Sequence, residues 1–281
     1  MSSPHLSLDS TQTLSSGIEI PKFGLGVFKL DQSDTGKRAI IHALQHGYRH
    51  IDTAAVYKNE ETVGEAIRES GLPRESIFVT TKVWYTELGQ DKTTTALDTS
   101  LQRLGLDFVD LYLIHWPADE HLLEGWEAMR KLRDVGKIRS IGVSNFTIER
   151  FEKFLSATNE VPDVNQVELH LFHQQRALVE YCTRRGMILE AYCPLARANR
   201  FDNPVLQRVA GNCGKSPAQV MLRWCLQKGF VTIPKSQSPA RIEQNADIYD
   251  FELSEDQMKV LAECDGEFEA STWRPNPETW Y

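Results

Sequence analysis

The chain has 281 residues, a length that fits two ordinary domains or one large α/β barrel. Its 31 Lys and Arg residues against 39 Asp and Glu residues give a formal net charge of −8, which argues against a general nucleic-acid-binding or anionic-membrane surface. Hydrophobic residues at 41% and charged residues at 25% exclude a disordered or fibrous chain, and no apolar run reaches the roughly 18 residues that a membrane span needs.

The N-terminal segment and the cysteines both indicate a reducing compartment. Residues 1–16 are polar and rich in Ser and Thr, without the basic and then apolar run of a signal peptide, so we expect a cytoplasmic location. The five cysteines are odd in number, widely spaced and include no C-x-x-C pair. The sequence therefore predicts neither a disulfide framework nor a zinc site.

Short apolar runs alternate with longer amphipathic stretches along the chain, a pattern typical of stacked βα units. A hairpin is predicted first, over residues 11–21 with its turn at Ser16-Gly17. Eight strands follow, at residues 23–27, 48–52, 77–81, 108–114, 138–143, 164–167, 187–191 and 230–233. Apolar residues at helical spacing predict helices between them, one carrying Ile40, Ala43 and Leu44, one ending at Gly105, and others at residues 59–70, 122–135, 148–157, 175–185 and 217–227. Two further helical segments are predicted, near Pro239 and over residues 254–263, where a Ser-x-x-Gln pattern marks the start.

The number of βα units predicts the architecture. Eight units of roughly 30 residues each favour one closed, parallel TIM barrel that spans residues 1–281 as a single domain. An open doubly wound sheet is the alternative. In a barrel, the residues that follow the carboxyl ends of the strands form the active site, so candidate catalytic residues are sought at those positions.

Four side chains that carry charge or move protons lie at or just after the carboxyl ends of neighbouring strands: Asp52, Tyr57, Lys82 and His115. Each alone has an ordinary structural explanation, as a helix cap, a packing ring, a solvated cation or a buried imidazole. Together they are chemically coherent, because a tyrosine with an ordinary pKa of about 10 is a useful acid only where a cation such as Lys82 stabilises its phenolate. Asp52 would then hold the lysine, and His115 would donate a hydrogen bond to a carbonyl oxygen. Such a site protonates an alkoxide and needs a hydride donor, which implies a nicotinamide or flavin cofactor.

The phosphates of such a cofactor need a local binding site in this acidic chain. Gly24-Leu25-Gly26 lacks the third glycine of a dinucleotide-binding loop, and Gly214-Lys215-Ser216 lacks the first glycine of a P-loop, so neither motif is assigned. A better candidate follows the eighth strand, where barrels commonly bind phosphate. It contains Lys235, Ser236, Arg241, Gln244 and Asn245.

Motifs along essentially the whole chain resemble those of the aldo-keto reductase family. They are Gly47-Tyr48-Arg49-His50-Ile51-Asp52-Thr53-Ala54 with Tyr57, Thr81-Lys82, Leu113-Ile114-His115-Trp116-Pro117, Gly142-Val143-Ser144-Asn145-Phe146, Asn165-Gln166-Val167-Glu168 and Ile233-Pro234-Lys235-Ser236. The resemblance is to NADPH-dependent carbonyl reductases of the short-loop, prokaryotic or fungal diketogluconate-reductase-like type. It implies a catalytic tetrad of Asp52, Tyr57, Lys82 and His115, with Tyr57 as the proton donor.

The resemblance also implies which residues contact the cofactor. Charged and hydroxyl donors at the expected 2′-phosphate position predict a preference for NADPH over NADH. The implied contacts are Ser144, Asn145, Gln166 and Tyr192 for the nicotinamide, Pro194 and Leu195 in the loop beside the pyrophosphate, Lys235, Ser236 and Arg241 for the 2′-phosphate, and Gln244 and Asn245 for the adenine.

The substrate pocket is expected to be aromatic and relatively open, because the connection between His115 and Trp126 is short. Small α-dicarbonyls, keto acids or keto esters, and sugar-derived carbonyls are the implied substrates. Family matching puts Phe28, Trp84, Trp116 and His115 at the pocket wall, and Trp273, Trp280 or Tyr281 could cover the pocket from the C-terminal tail.

The sequence departs from the family pattern at a few positions. Cys193 stands where Ser is usual, so oxidation of its thiol would impair cofactor binding, although a buried structural thiol is the simpler interpretation. Leu171 replaces a common Pro. His170 and His173 lack further ligands at a suitable spacing, so no metal site is predicted.

The predicted function is NADPH-dependent reduction of aldehydes and activated ketones by a cytoplasmic enzyme without a nucleic-acid or membrane partner. A monomer is expected, because that is the commonest form in the family. Two alternatives remain open, a cofactor-binding regulatory or sensor protein with little turnover and a Schiff-base lyase that uses Lys82. An acyl hydrolase is disfavoured, because residues 142–146 lack the final glycine of a nucleophile elbow.

Overall fold

The computed structural model describes residues 6–118 and 120–266. A short antiparallel hairpin comes first, formed by β1 (Thr11–Thr13) and β2 (Glu19–Pro21). Its turn contains Gly17 with a φ of +82°, a conformation that glycine adopts without steric cost. The hairpin prediction is confirmed. Trp273, Trp280 and Tyr281, which were expected to cover the pocket from the C-terminal tail, lie outside the described residues.

Eight parallel strands within the described ranges form one sheet in chain order. A bridge between Phe23 and Thr232 joins the two ends of the sheet, with hydrogen bonds of 3.0 Å from Gly24 N to Thr232 O and 2.9 Å from Thr232 N to Lys22 O. The sheet therefore closes into the predicted TIM barrel, and the open-sheet alternative is wrong. The strands are β3 (Leu25–Gly26), β4 (His50–Asp52), β5 (Phe78–Val83), β6 (Val109–Ile114), β7 (Ile138–Ser144), β8 (Val164–Glu168), β9 (Ile188–Tyr192) and β10 (Val231–Thr232).

Helices surround the sheet, and none in the described part of the chain is long and apolar enough to cross a membrane. Local caps set several boundaries: Gly105 ends one helix with a φ of +64°, and Ser254 with Gln257 forms the predicted capping box. The helices are α1 (Asp34–Gln45), α2 (Glu60–Glu69), α3 (Gln90–Leu104), α4 (Leu122–Asp134), α5 (Ile148–Thr158), α6 (Arg176–Arg184), α7 (Pro204–Cys213), α8 (Pro217–Gln227), α9 (Pro239–Ala246) and α10 (Glu255–Ala262).

Helix α7 is the one long element in the described residues that the sequence analysis did not predict. The Asn203 side chain accepts hydrogen bonds from Val205 N and Leu206 N, Pro204 occupies the first turn, and Gly214 ends the helix with a φ of +63°. These are ordinary start and stop signals, so a search for caps would have found the helix.

The barrel interior has an apolar end and a polar end. The apolar end contains Leu111, Leu113 and Val231, among others, and the N-terminal hairpin closes it through hydrogen bonds of Ser16 with Asp163 and Ser140. The polar end lies at the carboxyl ends of the strands. There the side chains of several strands converge, which positions the candidate site.

Candidate active site

Two oppositely charged side chains form the centre of the polar end. Asp52 ends β4, Lys82 lies in the neighbouring β5, and their side chains are 3% and 0% exposed. Lys82 Nζ donates to Asp52 Oδ1 at 2.7 Å, to Asp52 Oδ2 at 2.9 Å and to the carbonyl oxygen of Thr53 at 2.7 Å. Three acceptors match the three N–H groups of an ammonium, so the geometry fits a charged lysine held in one orientation.

The other two predicted catalytic side chains lie next to this pair. Tyr57 ends a single 3₁₀ turn after β4, and Lys82 Nζ is 5.1 Å from the centre of its ring. His115 follows β6, and its ring is 5.5 Å from that of Tyr57, edge to face. The structure thus brings together all four residues of the predicted tetrad.

Burial determines the protonation of these groups. It lowers the pKa of His115 well below its ordinary value, assisted by the nearby Lys82 charge, so the imidazole is neutral. Burial, followed by the Asp52 charge, raises the pKa of Tyr57 well above its ordinary value. Burial also raises the pKa of Asp52, while Lys82 and a hydrogen bond from Gln166 oppose that rise.

The pKa of Tyr57 shifts in the direction opposite to the one expected from the sequence. We expected Lys82 to lower the pKa of Tyr57, but the lysine is engaged by Asp52, and the phenolate would be buried beside that carboxylate. The tyrosine of this site is therefore a neutral phenol that holds its proton, and it becomes a donor only towards a strong base such as an alkoxide.

The residues expected at the nicotinamide form one hydrogen-bonded chain. Tyr192 Oη donates to Asn145 Oδ1 at 2.8 Å, and Asn145 Nδ2 donates to Ser144 Oγ at 3.0 Å. Ser144 Oγ donates to the carbonyl oxygen of Gln166 at 2.8 Å, and Gln166 Nε2 donates to Asp52 Oδ2 at 2.7 Å. The expected cofactor residues and the charged pair are therefore joined in a single network.

The loop after β9 has an unusual backbone. Cys193 has a φ of +50°, and Ala196, Arg197 and Ala198 have φ values of +47°, +52° and +63°, although none of them is glycine. Burial raises the pKa of the Cys193 thiol, and the Arg197 side chain opposes the rise. Pro194 and Leu195, the predicted pyrophosphate-loop residues, lie between these positions. Arg197 adds a cation to this loop that the sequence analysis did not select.

Replacing Ala198 by glycine should stabilise the protein, because left-handed backbone costs a residue with a Cβ about 1 kcal/mol. We expect Ala198→Gly to raise the Tm by about 2–4 °C. The matched control is Ala157→Gly in the exposed part of α5, which should lower the Tm, because glycine weakens an ordinary helix. A lower Tm for Ala198→Gly in thermal unfolding followed by circular dichroism would contradict the strain argument.

The predicted phosphate cluster follows β10 and continues into α9. Lys235 and Arg241 are exposed, and neither forms an ion pair with a residue in the described ranges. Ser236 is buried nearby, and no side chain caps the N-terminus of α9. Gln244 is exposed and Asn245 is buried. Two cations without an ion pair among the described residues, together with the uncapped helix start, give this corner the features of an anion site.

The rim of the site is aromatic. The Phe28 ring is 4.9 Å from that of Tyr57 and 45% exposed, and the Trp84 ring is 5.2 Å from that of His115. Trp116 is buried. Only a short segment separates β6 from α4, as the sequence indicated. The rings of Phe28 and Trp84 thus border the Tyr57 and His115 groups from two sides.

A sequence profile described as "Aldo/keto reductase family" matches residues 22–266. The chain belongs to the aldo/keto reductase family. Among its relatives is a protein named glyoxal reductase from Bacillus subtilis, 49% identical over 91% of this chain and 92% of the relative. Among solved structures, an aldo-keto reductase from a deep-sea metagenome library has a TM-score of 0.89 at 41% identity, covering 92% of this chain and 96% of the other. A Bombyx mori aldo-keto reductase in complex with NADP has a TM-score of 0.88 at 35% identity, covering 95% and 96%.

This aldo/keto reductase is accordingly an oxidoreductase with the barrel fold of its family. In residues 6–118 and 120–266, no group of three or more His, Cys, Asp and Glu side chains is placed so that it could hold a metal ion. His170 Nε2 instead lies 2.8 Å from Glu168 Oε1, and its Nδ1 accepts a hydrogen bond from Phe172 N at 3.2 Å.

Sequence reasoning also missed two buried ionisable residues below the charged pair. His50 in β4 and Glu190 in β9 both have fully buried side chains, and His50 Nε2 is 3.6 Å from Glu190 Oε1. His50 precedes Asp52 by two positions, so the two side chains point to the same face of the strand, and Ile51 points to the other face. That spacing was a usable signal for His50. A glutamate inside an apolar strand was the corresponding signal for Glu190.

Proposed function

We propose that this aldo/keto reductase reduces small aldehydes and activated ketones to alcohols with NADPH, using Tyr57 as the proton donor. The observation that carries the proposal is the convergence of Tyr57, His115 and the Asp52–Lys82 pair at one barrel mouth. A phenol, a neutral imidazole and a fixed cation are the groups that polarise a carbonyl and protonate the resulting alkoxide.

The residues present fit a nicotinamide dinucleotide. The buried Nδ1 atom of His115 has no hydrogen-bond partner among the described residues, and Lys235 and Arg241 carry no ion pair there. Ser144 and Asn145 offer amide and hydroxyl groups of the kind that bind a carboxamide. When bound, the cofactor supplies the hydride.

The protein's own side chains orient the substrate and supply the proton. His115 donates an N–H to the carbonyl oxygen of the substrate and orients it, and Tyr57 gives its hydroxyl proton to the alkoxide that forms. The Lys82 ammonium, held by Asp52 and 5.1 Å from the centre of the Tyr57 ring, offsets part of the phenolate charge left behind, because the Asp52 carboxylate opposes it. Burial of the pair excludes water and strengthens this interaction.

Small α-dicarbonyls and keto acids, keto esters or sugar-derived carbonyls are the proposed substrates. The open rim at Phe28 and the short β6–α4 segment support a small substrate, as does the name of the glyoxal reductase relative. The test is steady-state NADPH consumption with glyoxal, methylglyoxal, 4-nitrobenzaldehyde and a 2-keto ester. NADPH binding without turnover across this panel would favour the regulatory or sensor function instead.

Lys235 and Arg241 should determine the choice between NADPH and NADH. Each is proposed to form a charge-assisted hydrogen bond with the 2′-phosphate, which NADH lacks. We expect Lys235→Met/Arg241→Met to raise the KM for NADPH about 10- to 100-fold and to change the KM for NADH much less. Lys228→Met, an exposed lysine at the end of α8, is the control. Equal loss with both cofactors would reject the 2′-phosphate assignment.

The geometry does not favour two other reactions. Lys82 Nζ is fully buried and donates to Asp52 and Thr53, so its amine is not available as the nucleophile of a Schiff-base lyase. Ser144 Oγ donates to the carbonyl oxygen of Gln166 rather than to a histidine, which disfavours an acyl hydrolase.

A further inference from the structure

The barrel interior contains a second carboxyl group below the Asp52–Lys82 pair. Glu190 lies on β9 and is paired in register with Gln166 of β8. Its side chain is fully buried, and neither carboxylate oxygen makes a hydrogen bond of good geometry with a described residue. A buried carboxylate without donors is strongly disfavoured, whereas a buried carboxylic acid is tolerated.

Among the described residues, the groups around Glu190 supply only one cation for two carboxyls. On β4 it faces Asp52 and the imidazole of His50, whose Nε2 also lies 3.0 Å from Thr80 Oγ1. Burial and the Lys82 charge lower the pKa of His50 to about 3, so His50 is neutral and forms no ion pair with Glu190. On β5, Lys82 directs its donors at Asp52 and Thr53.

Glu190 is therefore the carboxyl that keeps its proton. Asp52 receives hydrogen bonds from Lys82 and from Gln166 Nε2, which stabilise its ionised form. Burial and then the Asp52 charge raise the pKa of Glu190 to about 8, while Gln166 and Lys82 oppose this rise. When two carboxyls share a buried site, the one with fewer donors takes the proton.

We propose that Glu190 is a positioning residue whose protonation state controls the acidity of Tyr57. This inference rests on the proposed function. As a neutral acid, Glu190 leaves the Asp52–Lys82 pair electrically balanced. When it ionises at alkaline pH, the added negative charge makes Tyr57 a weaker acid and slows reduction. Glu190 is one of the negative groups whose charge raises the pKa of Tyr57, which agrees with this direction.

The first arm of the test is the pH profile of kcat for the wild type, Glu190→Gln and Glu190→Asp. Wild-type kcat should fall about tenfold between pH 7 and pH 9, through an inflection at about 8. Glu190→Gln should lose that inflection, whereas Glu190→Asp should keep one. Cys193→Ser should also keep the alkaline inflection, which would exclude the nearby thiol as the group that titrates. A merely structural role of Glu190 would change the rate or the Tm but would not remove the inflection.

The second arm is the pH dependence of unfolding, which needs no turnover. The unfolded chain releases the Glu190 proton at about 4.5 and the folded chain at about 8, so this proton stabilises the fold below pH 4.5 and the stabilisation is lost as the pH rises to about 8. From pH 5 to pH 8, stability should fall more in the wild type than in Glu190→Gln.

The outcomes separate the two proposals. An unchanged alkaline inflection in an active Glu190→Gln variant would overturn the role of Glu190 and leave the proposed function intact. An inactive wild type would overturn the proposed function and, with it, the role of Glu190 in reduction. In that case, if stability fell equally with pH in the wild type and in Glu190→Gln, the claim that Glu190 keeps its proton in the folded protein would also be overturned. A steeper fall in the wild type would support that claim.

Discussion

Replacing Tyr57 by phenylalanine is expected to lower kcat for carbonyl reduction about 10²–10⁴-fold, the usual contribution of a positioned general acid. The variant loses the only hydroxyl in the tetrad but keeps the ring that packs between Phe28 and His115. Binding of NADPH should persist, because the proposed cofactor contacts come from other residues. Steady-state kinetics combined with a fluorescence titration of NADPH measures both quantities.

A matched control is Tyr249→Phe, the same chemical change at a partly buried tyrosine whose hydroxyl has no hydrogen-bond partner among the described residues. It should leave kcat within about twofold, as expected for a change away from functional groups. Residual activity of Tyr57→Phe above a tenth of the wild-type value would mean that another group delivers the proton.

The second large effect is expected for Lys82→Met, which leaves Asp52 as a buried charge without its partner. Breaking a buried ion pair from one side costs about 3–5 kcal/mol of stability, and loss of the cation should lower kcat by at least 10²-fold. Lys153→Met is the comparison: its surface pair with Glu149 should contribute about 0.5 kcal/mol or less. Urea unfolding and steady-state kinetics measure the two effects.

The double variant Asp52→Asn/Lys82→Met separates stability from catalysis. Removing both charges should restore more than half of the stability that Lys82→Met loses, because no unpaired charge remains in the barrel. Activity should stay as low as in the single variant. Recovery of activity together with stability would show that Lys82 supports only the fold, and the proposed catalytic role would then be wrong.

The architecture was predictable because its signals are local. Each strand is a short apolar run, each helix carries an apolar face, and caps such as Ser254 and Gly105 mark helix ends within a few residues of chain. Errors occurred mainly at boundaries, such as β10, which is shorter than the predicted 230–233 segment because only Val231 and Thr232 keep the ladder. Helix α7 was missed although its caps are equally local.

The convergence of the tetrad was predictable for a related reason. Parallel strands present their carboxyl ends at one edge of the barrel, so residues that follow neighbouring strands must lie near one another. Asp52 and Lys82 are 30 positions apart in the chain, yet they lie on adjacent strands and form an ion pair. Chemical type and position after a strand were sufficient to select Tyr57 and His115.

The sequence by itself determined the barrel, its strand order and the identity of the four side chains at its mouth. Only the tertiary structure decided how these groups share charge: Gln166 donates to Asp52 across 114 residues of chain, and Glu190 faces the same pair from the opposite part of the barrel. The left-handed backbone at Ala198 was also beyond sequence analysis. Element type follows from neighbours in the chain, whereas pKa values and strain follow from burial and from contacts between distant segments, which no local pattern records.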